Sequence, residues 1–124
     1  MALTTAGLQF LVKAAIGQGT FFNAGNARLG VGNGTTAFNA AQTDLQGTSK
    51  FRKVMDEGYP VVAANEITFK STFDTADANF TWSEWGVFNA DSGGVMLNRV
   101  LENNGTKRDN QTWILEVTLS FSIG

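Results

Sequence analysis

The chain has 124 residues, of which 43 % are hydrophobic and only 16 % are charged, and its formal net charge is −2. This length suits one domain with a modest core, and the near-balanced charge gives no global attraction to nucleic acid. Cys and His are both absent, which excludes disulfides, thiolate metal ligands, thiol nucleophiles and imidazole bases.

The first predicted element is a short amphipathic helix over residues 4–16, capped by Thr4 or Thr5 and ended by Gly17. A helix of this length is marginal in isolation, so we expect its apolar face to pack on a sheet. It is too short and too charged to span a membrane, and no signal peptide is recognisable. The residues of the expected inward face follow the i, i+3, i+4, i+7 spacing: Leu8, Leu11, Val12 and Ala15.

The next part of the chain is rich in glycine and predicts loops around one short strand. Residues 17–26 form a predicted loop that displays Phe21 and Phe22 side by side. Alternation predicts a strand over residues 27–31, and a Gly-rich turn follows it. Residues 38–45 are predicted to form a short helix.

The second half of the chain has the pattern of an antiparallel β structure. Apolar and polar residues alternate, so each strand has one buried and one wet face. The alternation breaks near Ser83 and Glu84, which predicts a β-bulge, and Pro60 predicts a break or a sheet edge. The predicted extended segments are residues 50–62, 66–73, 80–88, 95–101 and 112–123, of which the third and fourth form a hairpin.

Together these elements predict a mainly β fold. We expect an antiparallel β-sandwich or barrel-like fold with one short N-terminal α-helix packed on it. The expected organisation is a single domain over residues 1–124, with the helix at about 4–16 and the β domain at about 27–124. No internal repeat and no second domain is recognisable in the sequence.

Glu84 is the acidic residue for which burial is most strongly expected, because it lies between Trp82 and Trp85. A buried carboxylate needs hydrogen-bond donors or takes up a proton. A catalytic acid is one interpretation. We favour a structural carboxylate, bonded to backbone N–H groups at the bulge or to Arg99 across the hairpin. We therefore predict no catalytic residue, no cofactor and no small-molecule substrate.

Two other clusters of charged residues are candidates for a binding site. Asp74 and Asp77, with Asn79 nearby, offer the oxygen ligands that calcium prefers, but their spacing matches no known loop motif. We predict no metal site, although the sequence leaves open whether the two acids bind an ion. The one basic cluster is interpreted as a solvated face or a contact to an acidic neighbouring subunit, and it comprises Lys50, Arg52 and Lys53.

Bulky rings and low charge indicate a surface that becomes buried in an assembly. Interface energy concentrates in aromatic and arginine residues, although each such residue can instead belong to the core. This alternative applies most to the two tryptophans of residues 80–88, because one strand buries both only with a bulge. The candidate interface residues are Phe21, Phe22, Arg52, Tyr59, Trp82 and Trp85.

Three motifs carry a resemblance that spans nearly the whole chain. They are Leu3-Thr4-Thr5-Ala6-Gly7, then Ala27-Arg28-Leu29-Gly30-Val31-Gly32 with Gln42-Thr43-Asp44-Leu45, then Trp82-Ser83-Glu84-Trp85-Gly86-Val87-Phe88-Asn89 with Gly93-Gly94-Val95-Met96-Leu97-Asn98-Arg99. In this order they resemble small virion structural proteins of tailed bacteriophages. The layout is also similar to the N-terminal domain of phage tail-collar fibre proteins.

The resemblance implies a capsid decoration (cement) protein that sits as a homotrimer on the outer surface of the capsid. Its expected partners are the major capsid protein and copies of itself, with no nucleic acid and no membrane, after synthesis in the host cytoplasm. The short chain favours this assignment, since a fibre also needs a shaft and a tip. A tail-associated collar, baseplate or fibre-attachment subunit is the main alternative. An entry glycan hydrolase and a free carbohydrate-binding module are two others.

Overall fold

A computed structural model describes residues 2–123 as two antiparallel β-sheets and one helix. Strands hold 40 % of the residues and helix holds 8 %, which confirms the mainly β, sandwich-like fold with a short N-terminal helix. The elements in chain order are α1 (Thr5–Ala14), β1 (Arg28–Gly32), β2 (Lys50–Val54), β3 (Val61–Ala63), β4 (Glu66–Phe73), β5 (Thr81–Phe88), β6 (Met96–Thr106) and β7 (Trp113–Ser120).

The first sheet has the strand order β2-β1-β5-β6, and the second has the order β3-β4-β7. Their inner faces enclose the core, in which edge-to-face contacts join the rings of Phe73 and Trp82 (4.8 Å between centroids) and of Trp82 and Trp113 (5.0 Å). The alternation predicted for residues 66–73 is confirmed, since Phe69, Ser71 and Phe73 are buried.

The predicted bulge near Ser83 is confirmed by a register shift between Trp82 and Glu84, and a second shift lies between Val87 and Phe88. The predicted extended segment over residues 50–62 is divided between the two sheets, because β2 pairs with β1 and β3 pairs with β4. Pro60 directly precedes β3, the outer strand of the second sheet, as a proline at a sheet edge should.

The helix lies at the predicted place, but of the face predicted to point inward only Leu11 packs against the core. Gly7 and Phe10 are buried, whereas Leu8 and Val12 are 54 % and 67 % exposed. The reason is a close backbone contact: a Cβ atom on Gly7 would overlap the carbonyl oxygen of Leu97 on β6. Apolar residues occupy both faces of α1. The face that carries Gly7 packs on the sheet, because only a residue without a Cβ atom allows this close approach.

Residues 38–45, predicted as a short helix, form no helix, and that prediction is wrong. The whole segment 33–49 is an irregular loop whose Leu45 is buried against Phe88 and Met96. Within the segment, the amides of Asn39 and Ala41 bond to the side chains of Gln42 and Asn39, and the Leu45 amide bonds to that of Asp44. These local side-chain acceptors replace the carbonyl groups of a helix. Within residues 2–123, no helix is long and apolar enough to cross a membrane.

Candidate functional site

The carboxylate of Glu84 lies at the centre of the most connected polar cluster in the fold. Oε1 accepts hydrogen bonds from the Gln46 amide (2.9 Å) and from Nε of Arg99 (2.7 Å). Oε2 accepts from the amides of Gly34 (2.9 Å) and Gly47 (2.8 Å). The contact to Arg99 is one of the two alternatives that the sequence suggested. The amide donors belong to the loop 33–49 and not to the bulge.

These donors determine the charge of Glu84. Burial by itself raises the pKa of the carboxyl, but the Gln46 amide, the Arg99 guanidinium and the two glycine amides outweigh it, so the pKa lies below its ordinary value. The side chain is therefore ionised at neutral pH, and four donors of its own chain occupy its oxygens. This geometry holds a loop in place; it does not present an acid to a substrate.

Three glycines make this cluster sterically feasible. A Cβ atom at Gly32 or Gly34 would overlap Oε2 of Glu84, and one at Gly47 would overlap the backbone amide of Gly34. The sequence indicated only turns at the first two positions. A second signal for the buried carboxylate was missed: glycines on a strand and a loop occur together with an acid on the neighbouring strand. Glycine permits the close backbone approach that brings amides to such a carboxylate.

Ammonium groups of the same chain occupy the surroundings of Asp74 and Asp77. Nζ of Lys53 lies 2.6 Å from Asp77 and 3.4 Å from Asp74, and the hydrogen bond from Lys53 lowers the pKa of Asp77. Nζ of the buried Lys107 donates to the Asp74 carbonyl oxygen (2.7 Å) and to Oδ1 of Asn79 (2.8 Å). Over residues 2–123, no three acidic side chains gather as metal ligands.

Three of the six candidate interface residues are used inside the chain. Trp82 and Trp85 are 2 % and 8 % exposed and pack in the core, so neither ring presents more than a small area to a partner. The bulge allows both rings to turn inward. The guanidinium of Arg52 lies over the Phe88 ring at 3.7 Å and donates to backbone carbonyls of the β5–β6 loop. Arg52 of β2 therefore stabilises the β5–β6 hairpin.

The other three candidates remain at least partly accessible. Phe22 is half-buried against Phe10, with 4.9 Å between the ring centroids, and Tyr59 is half-buried beside Lys70. Phe21 is 44 % exposed. Of the aromatic candidates, Phe21 thus presents the clearest apolar surface to a partner.

A larger apolar surface lies on the helix and directly after it, and it includes Leu8 and Val12, which were expected to point inward. Leu8, Val12 and Ile16 are 54 %, 67 % and 74 % exposed. Leu8 and Val12 are one helical turn apart on the same face of α1, and Ile16 lies in the turn that follows the helix. We call these three residues the outer stripe of α1. Gly7 and the Thr4 cap hold the opposite side of the helix on β6, through hydrogen bonds of the Thr4 side chain to the Gly7 amide and the Met96 carbonyl.

A second accessible region lies where the two sheets end side by side. Two clefts open between β6 and β7, and we call this region the β6–β7 flank. The larger, about 380 Å³, is lined by Trp82, Glu102, Asn104 and residues 112–115. The smaller, about 260 Å³, is lined by Trp85, Asn98, Val100 and residues 118–120.

Comparisons of the chain with protein-family models, with curated proteins and with solved structures find no match. Within the described residues, three features stand out: a carboxylate with four donors that anchors a long loop, an exposed apolar stripe on a fixed helix, and a flank between two sheet edges. Two of these three features are surfaces.

Proposed function

We propose that this protein is a virion structural subunit: a capsid decoration (cement) protein that acts as a homotrimer on the outer capsid surface. It bridges major capsid subunits and stabilises their junctions by adding interface. The outer stripe of α1 is the observation that carries the proposal, because Leu8, Val12 and Ile16 form a row of aliphatic side chains without a partner in their own fold. The sequence motifs that resemble those of phage virion proteins are the reason for proposing that the assembly is a virion.

The stripe has the energetics that adhesion requires. Monomeric proteins rarely leave large contiguous apolar patches in water. Burying each of these half-exposed or more exposed side chains contributes roughly 1–2 kcal/mol. Because Gly7 and Thr4 already fix the helix on β6, little order has to be gained on binding. Because many copies bind to one shell, their binding free energies add up over the particle.

A tail-associated collar, baseplate or fibre-attachment subunit is the second candidate. The segment Glu84-Trp85-Gly86-Val87-Phe88, which resembles the tail-collar fibre domain, favours it. In the fold this segment forms the centre of the first sheet and leads into the β5–β6 hairpin. The fold suits both positions, and copy number separates them.

The test is quantification and localisation of the protein on purified particles by mass spectrometry and electron microscopy of labelled virions. Hundreds of copies spread over the shell support the capsid assignment, whereas a few dozen or fewer at one vertex support the tail. A protein that is absent from particles contradicts both candidates. Light scattering of the isolated protein tests the trimer.

A matched pair of variants tests the stripe itself. Val12→Lys places a charge in the stripe and should reduce occupancy on particles at least about tenfold, the equivalent of about 1.4 kcal/mol. Val62→Lys is the control, because Val62 is 74 % exposed on β3. Equal occupancy of the two variants would remove the stripe from the interface.

A further inference from the structure

The β6–β7 flank is bordered by two free strand edges. β6 and β7 are each the last strand of their sheet. The N-terminal segment covers β6 only as far as Arg99, through the bonds from the Thr4 amide to the Leu97 carbonyl (3.1 Å) and from the Arg99 amide to the Ala2 carbonyl (3.2 Å). No strand within residues 2–123 pairs with the outer edge of β6 beyond this point or with that of β7. Such edges are templates for another strand.

The two clefts follow these edges. The smaller cleft is lined by Trp85 of β5 and the larger by Trp82 of the same strand, while the lining residues of β6 and β7 advance in register with them. An extended chain rises about 3.3 Å per residue and sends alternate side chains to opposite faces. The flank thus combines open strand edges with two successive clefts that can accommodate side chains of an added strand.

Two buried donors in the smaller cleft lack acceptors. Trp85, 8 % exposed, and the buried Asn98 both line it, and neither Nε1 of Trp85 nor Nδ2 of Asn98 has a partner in the described chain. Oδ1 of Asn98 accepts the Val87 amide at 3.1 Å, which fixes the orientation of the side-chain amide. Buried donors without partners are costly.

The missing partner is therefore an acceptor, and the surroundings indicate that it is neutral. No basic residue lines either cleft, and Glu102 lines the larger one, so an anion would find no counter-charge. A peptide carbonyl oxygen fits both requirements. It is also the acceptor that an added strand carries at every residue.

We infer that the β6–β7 flank binds an extended polypeptide segment of a neighbouring, different subunit by strand addition. Its backbone pairs with the free edges, and an apolar side chain enters the cleft beside Trp82 and Trp113. Its carbonyl groups accept from Trp85 and Asn98 once the neighbouring side chains that cover these two buried donors move aside. Strand addition is a general mode of peptide recognition. The inference rests on the proposed function, which supplies the neighbouring subunit.

The donor segment is assigned to a different chain because the irregular segments 2–4, 17–26 and 33–49 of this one are held by contacts within their own chain. Residues 2–4 pair with β6, and Glu84 holds the loop 33–49. The loop 17–26 is anchored by the stacking of Phe22 on Phe10 and by its Thr20 carbonyl, which accepts from Asn89.

Hydrogen exchange of the wild-type protein, free and assembled on particles, tests the pairing directly. Within residues 100–106 and 113–120, the amides that point away from β5 and β4 should exchange at least tenfold more slowly on the particle. Unchanged exchange at both edges overturns the inference. The same protection in the isolated oligomer overturns the assignment to a different subunit, since a second copy then fills the flank.

Bulky variants test the clefts. Ser120→Trp and Asn104→Trp each place a ring at an exposed rim of one cleft and should reduce particle occupancy at least tenfold. Ser92→Trp, in the exposed β5–β6 loop, is the matched control. Circular dichroism identifies any variant that fails to fold, and the two rim variants are independent of each other.

The outcomes separate the inference from the proposed function. Wild-type protein that joins particles while both folded rim variants join equally well overturns the inference and leaves the proposed function intact. Absence of the wild type from particles overturns the proposed function, and the assigned partner with it. A third outcome combines two results: an oligosaccharide quenches tryptophan fluorescence saturably, and the strand edges stay unprotected on the particle. This outcome shows that the flank is a sugar site and overturns the inference of strand addition.

Discussion

Glu84 receives four hydrogen bonds, three of them from backbone amides of residues 34–47 and one from Arg99. The partners on the loop lie up to 50 positions away in sequence. A single ionised side chain thus orders a long segment that has no regular structure of its own. The cost of burying the charge is offset by the number of donors that reach it.

Replacing Glu84 by Gln tests this arrangement. Whichever way the amide lies, its NH₂ group faces two donors, either Gln46 and Arg99 or the two glycine amides. We expect a loss of about 3 kcal/mol in the free energy of unfolding, measured by urea denaturation followed by tryptophan fluorescence.

Glu102→Gln is the matched control, since Glu102 is exposed on β6, and its urea midpoint should equal that of the wild type. A wild-type midpoint for Glu84→Gln would show that the four hydrogen bonds add no net stability.

At the scale of elements, α1 shows why a periodic pattern is an incomplete guide. Leu8 and Val12 have the correct spacing for a buried face, yet Gly7 and Phe10 are the residues that face the sheet. The close approach of Gly7 to the Leu97 carbonyl decides which face of α1 is buried. This approach is possible only because Gly7 has no side chain.

The variant Gly7→Ala gives a result whose sign is informative. In an exposed helix, alanine is more stabilising than glycine by about 1 kcal/mol. Here the new Cβ overlaps the Leu97 carbonyl oxygen, so α1 must shift, and we expect destabilisation of about 1–3 kcal/mol by thermal unfolding.

The companion variant is Gln9→Ala, at an exposed position of the same helix, and it should be neutral or slightly stabilising. Stabilisation by Gly7→Ala would contradict the close packing of α1 on β6.

The strands illustrate the opposite case. The segment 66–73 and the central part of 112–123 were predicted with their faces, and the break near Ser83 was predicted as a bulge. All three signals are local, because neighbouring side chains of a strand point to opposite faces. The failed helix over residues 38–45 had apolar residues at helical spacing, but the side chains of Asn39, Gln42 and Asp44 accept hydrogen bonds from its backbone amides.

Stability against acid is a property of the whole molecule. Three carboxyls have pKa values below their ordinary 3.8 (Asp) and 4.5 (Glu). In Asp44 burial raises the pKa, but the hydrogen bonds from Lys50 and the Leu45 amide outweigh it. In Asp77 the hydrogen bond from Lys53 dominates. The third is Glu84.

A lowered folded pKa contributes stability that is fully present above the unfolded value and is lost as the pH falls through the folded value. We therefore expect a constant urea midpoint from about pH 6 to 7 and a fall that begins near pH 4.5. Glu84→Gln should flatten the acid limb. An acid limb of unchanged slope would exclude Glu84 as its main source.

The accessible surfaces also emerge only at this scale. The outer stripe of α1 and the β6–β7 flank are built from different residues, and both adjoin β6. Val12→Lys and Ser120→Trp therefore test the two surfaces separately. The sequence identified neither surface: it placed Leu8 and Val12 on the inward face of the helix, and it named Trp82 and Trp85 as interface candidates without the flank that they line.

The sequence by itself determined the class of fold, the faces of its best strands, the site of the bulge and the expectation that Glu84 would be buried. Those properties follow from periods of two and from neighbours in the chain. The tertiary structure alone decided which side of α1 is covered, what holds the loop 33–49, which tryptophans are core and which edges stay open. These depend on contacts between residues far apart in sequence, such as Gly7 with Leu97 and Gly34 with Glu84, which no local pattern encodes.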